Sequence, residues 1–252
     1  MGFYDLSKQE RTALVDLIKS AIEKGFITNN KQKCVDYFSD EDTYVRKAAY
    51  LAVGKIFYTH PNLQISILQM LKILLKSEDE KIRQTVINAA GEIGKFHFYK
   101  VQSFFDTGLF DQHHSVRNAV IGSIKKMGEI NPEQVLPWVK PYLKHEDKEI
   151  RREICHGLEL RGRKYPQDVL PLLKELEHDE TRRVSDTLIH VIGQIAYKKG
   201  CLPTVITELK TWSNKELVRK ALDEIVDVHL RYKKFAALSQ QEAIDYIDKH
   251  FG

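Results

Sequence analysis

Cysteine, methionine and tryptophan are scarce in this chain: three, three and two in 252 residues. The cysteines, Cys34, Cys155 and Cys201, lie far apart, are odd in number and form no C-x-x-C. That argues against a disulfide framework and suits reduced thiols in a cytoplasmic protein. No apolar run is long enough to cross a bilayer, so no membrane segment is expected. The opening MGFYDLSKQERTALVDL mixes charges throughout and has no apolar core of the kind a secretion signal needs. Leu6 stands where myristoylation requires Ser or Thr. Nucleotide fingerprints, Walker loops, H-E-x-x-H and a Ser/His/Asp constellation are all missing, and no cofactor is expected. The net charge of +4 is mildly basic; it permits an acidic partner without requiring one.

What the sequence does contain is a repeat. The same helical phrase begins at Val45, Ile82, Val116, Ile150, Val184 and Val218; the first step is 37 residues and the next four are 34 each. Arginine follows the anchor in five phrases (Arg46, Arg83, Arg117, Arg151, Arg219), and Ser185 replaces it in the fifth. Apolar residues recur four and eight positions past the anchor, as in Val86 and Ala90 or Leu188 and Ile192. This spacing makes one stripe on a 3.6-residue helix, so each phrase is read as an amphipathic helix of about four turns. A first helix precedes each one, as in 61–76, 132–144 and 166–177. Pro132 and Pro166 open two of them, while Pro137 and Pro171 fall inside and are expected to kink them. Polar turns such as SDED and HEDK supply caps for the second helices. Gly54, Gly94, Gly128 and Gly162 are read as closing them. Ser7-x-x-Glu10 and Ser239-x-x-Glu242 are capping boxes that open terminal helices over 6–24 and 239–250.

A fixed period of this length predicts units that bury their apolar faces only by stacking. The expectation is an all-α protein, an α-α superhelix of six helical hairpins in a single domain over 1–252. Residues 1–30 and 233–252 serve as caps and 31–232 as the repeats. The phrases Asp42-Thr-Tyr-Val45-Arg46-Lys-Ala48-Ala49 and Asp111-Gln-His-His-Ser-Val116-Arg117-Asn-Ala119 resemble the HEAT repeat. The resemblance recurs in all six phrases. It implies antiparallel helix pairs forming a HEAT-type solenoid, with a proline-kinked first helix and a ladder of Asp–Arg pairs along the stack. The period also suits tetratricopeptide arrays, but their W-x-x-L-G-x-x-Y pattern is missing.

In HEAT arrays the second helices line the concave surface, so a partner is sought on their exposed faces. The fourth phrase is richest in charge: Lys148, Arg151, Arg152, Arg161, Arg163 and Lys164 against Glu149, Glu153 and Glu159. Lys125, Lys126, Arg152, His156, Arg163, His190, Tyr197 and Lys220 are the candidate ligand-binding residues. A basic groove with an aromatic edge suits a phosphate backbone; a solvated mixed-charge face is the plain alternative. Reversing charge at Arg152 and Arg163 is expected to abolish anion binding and leave the array folded. His156 and His190 occupy the same slot in adjacent repeats, but no cysteine or third histidine shares it, so no metal is expected.

Two functions stay open. One is a non-catalytic, monomeric scaffold that binds a protein or nucleic acid along this surface. The other follows from a more distant resemblance, in size and basic middle, to the HEAT-like-repeat alkylpurine DNA glycosylases of alkylation repair, and implies excision of alkylated purines from duplex DNA. Against it, no Trp-x-x-x-Asp is present, and Trp138 and Trp212 both fall on first helices. Trp138 is expected in the core and Trp212 at a turn. Asp186 is the one candidate catalytic carboxylate, placed in the groove beside Arg152 and His190.

Overall fold

The computed structural model describes residues 2–251, which form helices, turns and loops with no strand among them. None of these helices is long and apolar enough to cross a membrane. The chain divides into two compact units, one ending at Asn131 and the other beginning at Pro132.

The first unit contains α1 (Lys8–Ile27), α2 (Gln32–Phe38), α3 (Thr43–Thr59), α4 (Gln64–Leu74), α5 (Glu80–Gly108) and α6 (His114–Ile130). α5 is two helices fused across His97, whose φ of −134° and ψ of 54° interrupt the helical path. The second unit contains α7 (Pro132–Val139), α8 (Lys148–Gly157), α9 (Glu159–Gly162), α10 (Pro166–Leu173), α11 (Arg182–Ala196), α12 (Cys201–Leu209), α13 (Lys215–Arg231) and α14 (Gln240–Phe251). Each unit is three helix pairs and one closing helix, α1 in the first and α14 in the second. This is the all-α architecture of paired helices that the periodicity implies.

The repeating phrase places the second helices as expected. Val45, Ile82, Val116, Ile150 and Val184 are all buried. The side chains of Asp42, Asp79 and Asp147, each three residues ahead of its anchor, accept from the backbone N–H two positions on. This caps donors that the helix leaves unpaired. His113 takes the same role through its ring nitrogen. Both terminal capping boxes form: Glu10 and Ser7 exchange bonds of 2.7 and 3.3 Å, and Glu242 and Ser239 bonds of 2.7 and 3.2 Å. After Pro137 and Pro171 the first helices tighten into 3-10 turns over Lys140–Lys144 and Lys174–Leu176.

The recurring arginine secures the turn ahead of its own helix. Arg46, Arg83, Arg117 and Arg151 each donate from Nη1 to the carbonyls five and six residues back. Arg83 and Arg151 also reach forward to Asp111 and Asp179, so the ladder forms at these two steps. Ser77 stands where Arg46 would need a carboxylate. The sixth phrase departs further. Its cap is Asn214, four residues before Val218, and its buried stripe runs through Leu217, Ala221, Ile225 and Val228. Leu222 and Val226 are only half-buried and Arg219 is exposed. The helix is turned by one residue relative to the earlier five.

Gly54, Gly94, Gly128 and Gly162 do not close the second helices as expected. Gly54, Gly94 and Gly128 lie inside theirs, and Gly162 ends α9. A Cβ at Gly54 would lie 2.7 Å from Glu92 Cβ, and one at Gly162 2.4 Å from Ile195 Cδ1. Hydrogen side chains are what let consecutive second helices approach so closely. Of the tryptophans, Trp212 packs at the turn between α12 and α13 as expected, while Trp138 departs from its expected place in the core. Trp212 is fully buried just ahead of α13. Trp138 is half-buried and packs edge-on against Tyr142 at 5.2 Å.

Candidate functional site

In the second unit α8, α9 and α11 bring together a polar cluster that the candidate residues only partly describe. α8 ends at Gly157, Leu158 makes the joint, and α9 begins at Glu159. Across that joint His156 Nε2 lies 3.1 Å from Glu159 Oε2. Glu159 is 5% exposed. Its other oxygen is bound by Arg163 Nη2, which also bonds Gln194 Oε1. His190, one repeat later, sets its ring edge-on to His156 at 6.2 Å between centroids. Its Nδ1 is 3.6 Å from Glu224 Oε1. Arg231 holds Glu224 at 2.5 Å and Asp227 at 2.7 Å. Two buried donors in this cluster, Arg163 Nε and Gln194 Nε2, have no acceptor.

Placement on the second helices thus joins His156, His190 and Arg163. Tyr197 belongs to the same neighbourhood but is buried, not presented at a rim. Its ring stacks on Tyr232 at 5.4 Å, with the Arg163 guanidinium 5.6 Å from its centre. Glu159, Gln194 and Glu224 are the residues sequence reasoning missed. Glu159 follows His156 by three positions, one helical turn, which is the signal that could have found it. Gln194 carries no such local sign, but Glu224 follows His190 by 34 residues and so holds the same slot in the next phrase.

The other candidates lie elsewhere. Arg152 is held by Glu149 at 3.0 Å and faces Glu153 at 3.6 Å. Asp186 pairs with Arg182 at 3.5 Å, its side chain is 63% exposed, and it lines an open concavity with Arg182 and Lys220. Lys220 is bonded to Glu216 at 2.7 Å. Lys126 belongs to the first unit, where its ammonium meets Glu92 at 3.2 Å and the face of Tyr50 at 5.3 Å. Lys125, beside it on α6, is half-buried.

A second surface was not foreseen. In the first unit α1 and α3 leave between them a groove of about 310 Å³, whose apolar floor includes Phe3, Tyr4, Val15, Tyr44 and Leu51. Tyr4 and Tyr44 meet edge-to-face at 4.4 Å. Asp42 accepts from the Phe3 N–H at 2.6 Å and so fixes the segment that carries two of these rings. Tyr4 is 61% exposed and Leu51 42%. Lys19, Lys47 and Lys55 line the same groove with Asp16 as its one acid.

Comparison with known proteins bears on the repeat. Residues 107–193 match the family model of HEAT repeats. No curated protein matches the chain. Among solved structures it is similar to AlkD2 from Streptococcus mutans, with 17% identity and a TM-score of 0.49 over 82% of this chain and 97% of that one. The smu.31 protein of Streptococcus mutans UA159 gives 18% identity and the same TM-score and coverage. An archaeal HEAT-like repeats protein from Thermococcus onnurineus NA1 gives 14% identity and a TM-score of 0.40, over 88% of this chain and 98% of that one.

Proposed function

We propose that the chain is a non-catalytic HEAT-type scaffold whose partner is a protein, engaged at the lysine-fringed apolar groove between α1 and α3. The observation that carries this reading is the contrast between two sets of cations. From α6 onward Lys126, Arg152, Arg163, Arg183, Lys220 and Arg231 are each held by a carboxylate of the chain itself. A phosphate backbone would have to displace these partners one by one, at a cost that counterion release only partly offsets. Among the described residues Lys19, Lys47 and Lys55 form no ion pair, and they border an aromatic and aliphatic floor.

A floor of that kind, rimmed by cations, suits an amphipathic segment with acidic flanks. Its apolar face would cover Tyr4, Tyr44 and Leu51, and its carboxylates would meet the lysines. The glycosylase alternative asks for a carboxylate set among cations in a groove; Asp186 lines an open concavity with Arg182 and Lys220, but at 63% exposed it is a solvated carboxylate, poorly suited to steady an oxocarbenium-like sugar.

The test has two arms. Labelled duplex DNA is expected to show no saturable binding at low salt. Saturable binding whose log affinity falls by about 0.9 per phosphate with log salt would overturn the protein reading. A panel of acidic amphipathic helical peptides is expected to include binders that Leu51→Asp abolishes without changing the circular-dichroism spectrum. Binding unchanged by Leu51→Asp removes the groove from the argument. Release of a methylated base from alkylated DNA, lost in Asp186→Asn, would establish the alternative.

A further inference from the structure

We infer that His156, Glu159 and His190 form a binding site for a divalent transition-metal ion, zinc by preference, that ties α8 and α9 to α11. One ligand atom from each residue lies within 4.8 Å of the other two. Around a tetrahedral zinc, with bonds of about 2.0–2.1 Å, neighbouring ligand atoms sit roughly 3.3 Å apart. His156 Nε2 and Glu159 Oε2 are already at 3.1 Å. The remaining closure falls to the His190 side chain, which is 42% exposed and has room to swing.

The donor set selects the metal. Two imidazoles and one carboxylate suit zinc and its borderline neighbours; calcium and magnesium prefer shells made of oxygen alone. Three protein ligands leave one coordination position open, unlike a closed structural zinc site. The surroundings favour a cation. With both imidazoles neutral, the carboxylates of Glu159, Glu224 and Asp227 outnumber the guanidiniums of Arg163 and Arg231. Arg163 binds the far oxygen of Glu159 while the other faces His156, an arrangement like that of the outer groups that orient metal ligands.

This site belongs to the second unit, and the argument for it does not depend on the α1–α3 groove of the first. The test uses the untagged full chain, stripped with chelator and titrated with cobalt chloride. One cobalt per chain is expected, with the intense visible absorption of a four-coordinate ion, displaced by zinc chloride. His190→Ala is expected to abolish that absorption and weaken zinc binding by at least about 10-fold. His190 is half-exposed, so this variant should keep the helical spectrum. Glu159→Gln is the second probe, read only if its circular dichroism matches the parent. His114→Ala, in the first unit, should change nothing. Absence of the cobalt spectrum in the parent overturns the site, and so does a spectrum that survives His190→Ala or disappears with His114→Ala.

Discussion

Arg83 reaches 28 residues forward to Asp111 and grips it with two bonds, Nε to Oδ2 at 2.7 Å and Nη2 to Oδ1 at 3.0 Å. Arg151 does the same to Asp179, at 2.5 and 3.2 Å. The side chains in the first pair are only 8% and 10% exposed. Removing one partner strands the other's charge away from water. Asp111→Ala is therefore expected to cost about 3 kcal/mol, read as a lower urea midpoint.

The same carboxylates set an acid limit. Burial pushes Asp111 upward, but the bonds from Arg83 and from the His113 N–H outweigh it and leave its pKa below the ordinary aspartate value. Asp179 is likewise lowered, with Arg151 and the Thr181 N–H outweighing burial. A carboxyl lowered on folding stabilises fully above its unfolded value and loses that contribution as pH falls through the folded one. The melting temperature is expected to hold from pH 7 to pH 5 and to fall below about pH 4. In Asp111→Asn the fall should be shallower.

Two glycines should respond oppositely to the same change. A Cβ at Gly91 would lie 2.4 Å from Ser123 Oγ and 2.8 Å from its Cβ, while one at Gly122 would meet nothing within 4 Å. Gly91→Ala is expected to destabilise by about 1–3 kcal/mol through overpacking. Gly122→Ala, inside helix α6, should stabilise by about 0.5–1 kcal/mol. Chemical denaturation of both variants checks the sign.

Arg163→Glu tests whether that arginine is ligand-binding or structural. It would set a second carboxylate against Glu159 and remove the donor to Gln194. The variant is expected to melt several degrees lower, contrary to the sequence expectation of an intact array. Arg152→Glu places a new carboxylate beside Glu149 and the buried Glu153, so it too should lower the melting temperature.

The cysteines should be silent in the folded chain. Burial first, and then Asp36, pushes the Cys34 thiol up to about 12, and burial raises Cys155 as well. Thiolate is the reactive form. Mass spectrometry after iodoacetamide treatment is expected to show both unmodified in buffer and alkylated in urea.

The periodicity carried the helix pairs and the caps because each depends on neighbours in the chain, whereas the arginine's hold on the turn ahead of its own helix was not expected from it. An anchor and a cap three residues before it act within two helical turns. What else failed to read through depends on packing between repeats. The one-residue turn of α13 is invisible in a string where Val218 still precedes Arg219. Asp186 and Tyr197 shared a predicted face with His190, yet one points outward and the other is buried under Tyr232. His156 and His190 were legible as a pair because they hold equal places in consecutive phrases. Their third companion, Glu159, looked like an ordinary surface acid. The α1–α3 groove escaped because a terminal helix was taken to cover its neighbour completely, and Phe3 and Tyr4 precede any periodic segment.

The close approaches at glycine also bear on whether one repeat could stand in for another. Gly54 receives Glu92, Gly91 receives Ser123, Gly94 receives Met127, Gly162 receives Ile195 and Gly193 receives Glu224. Each hollow is fitted to one particular occupant, and the occupants differ in bulk and charge. Duplicating or deleting a hairpin would set Met127 or Ile195 against a mismatched recess. The chain has kept the rhythm of a tandem duplication and lost the modularity, so its length is fixed by shape rather than by count.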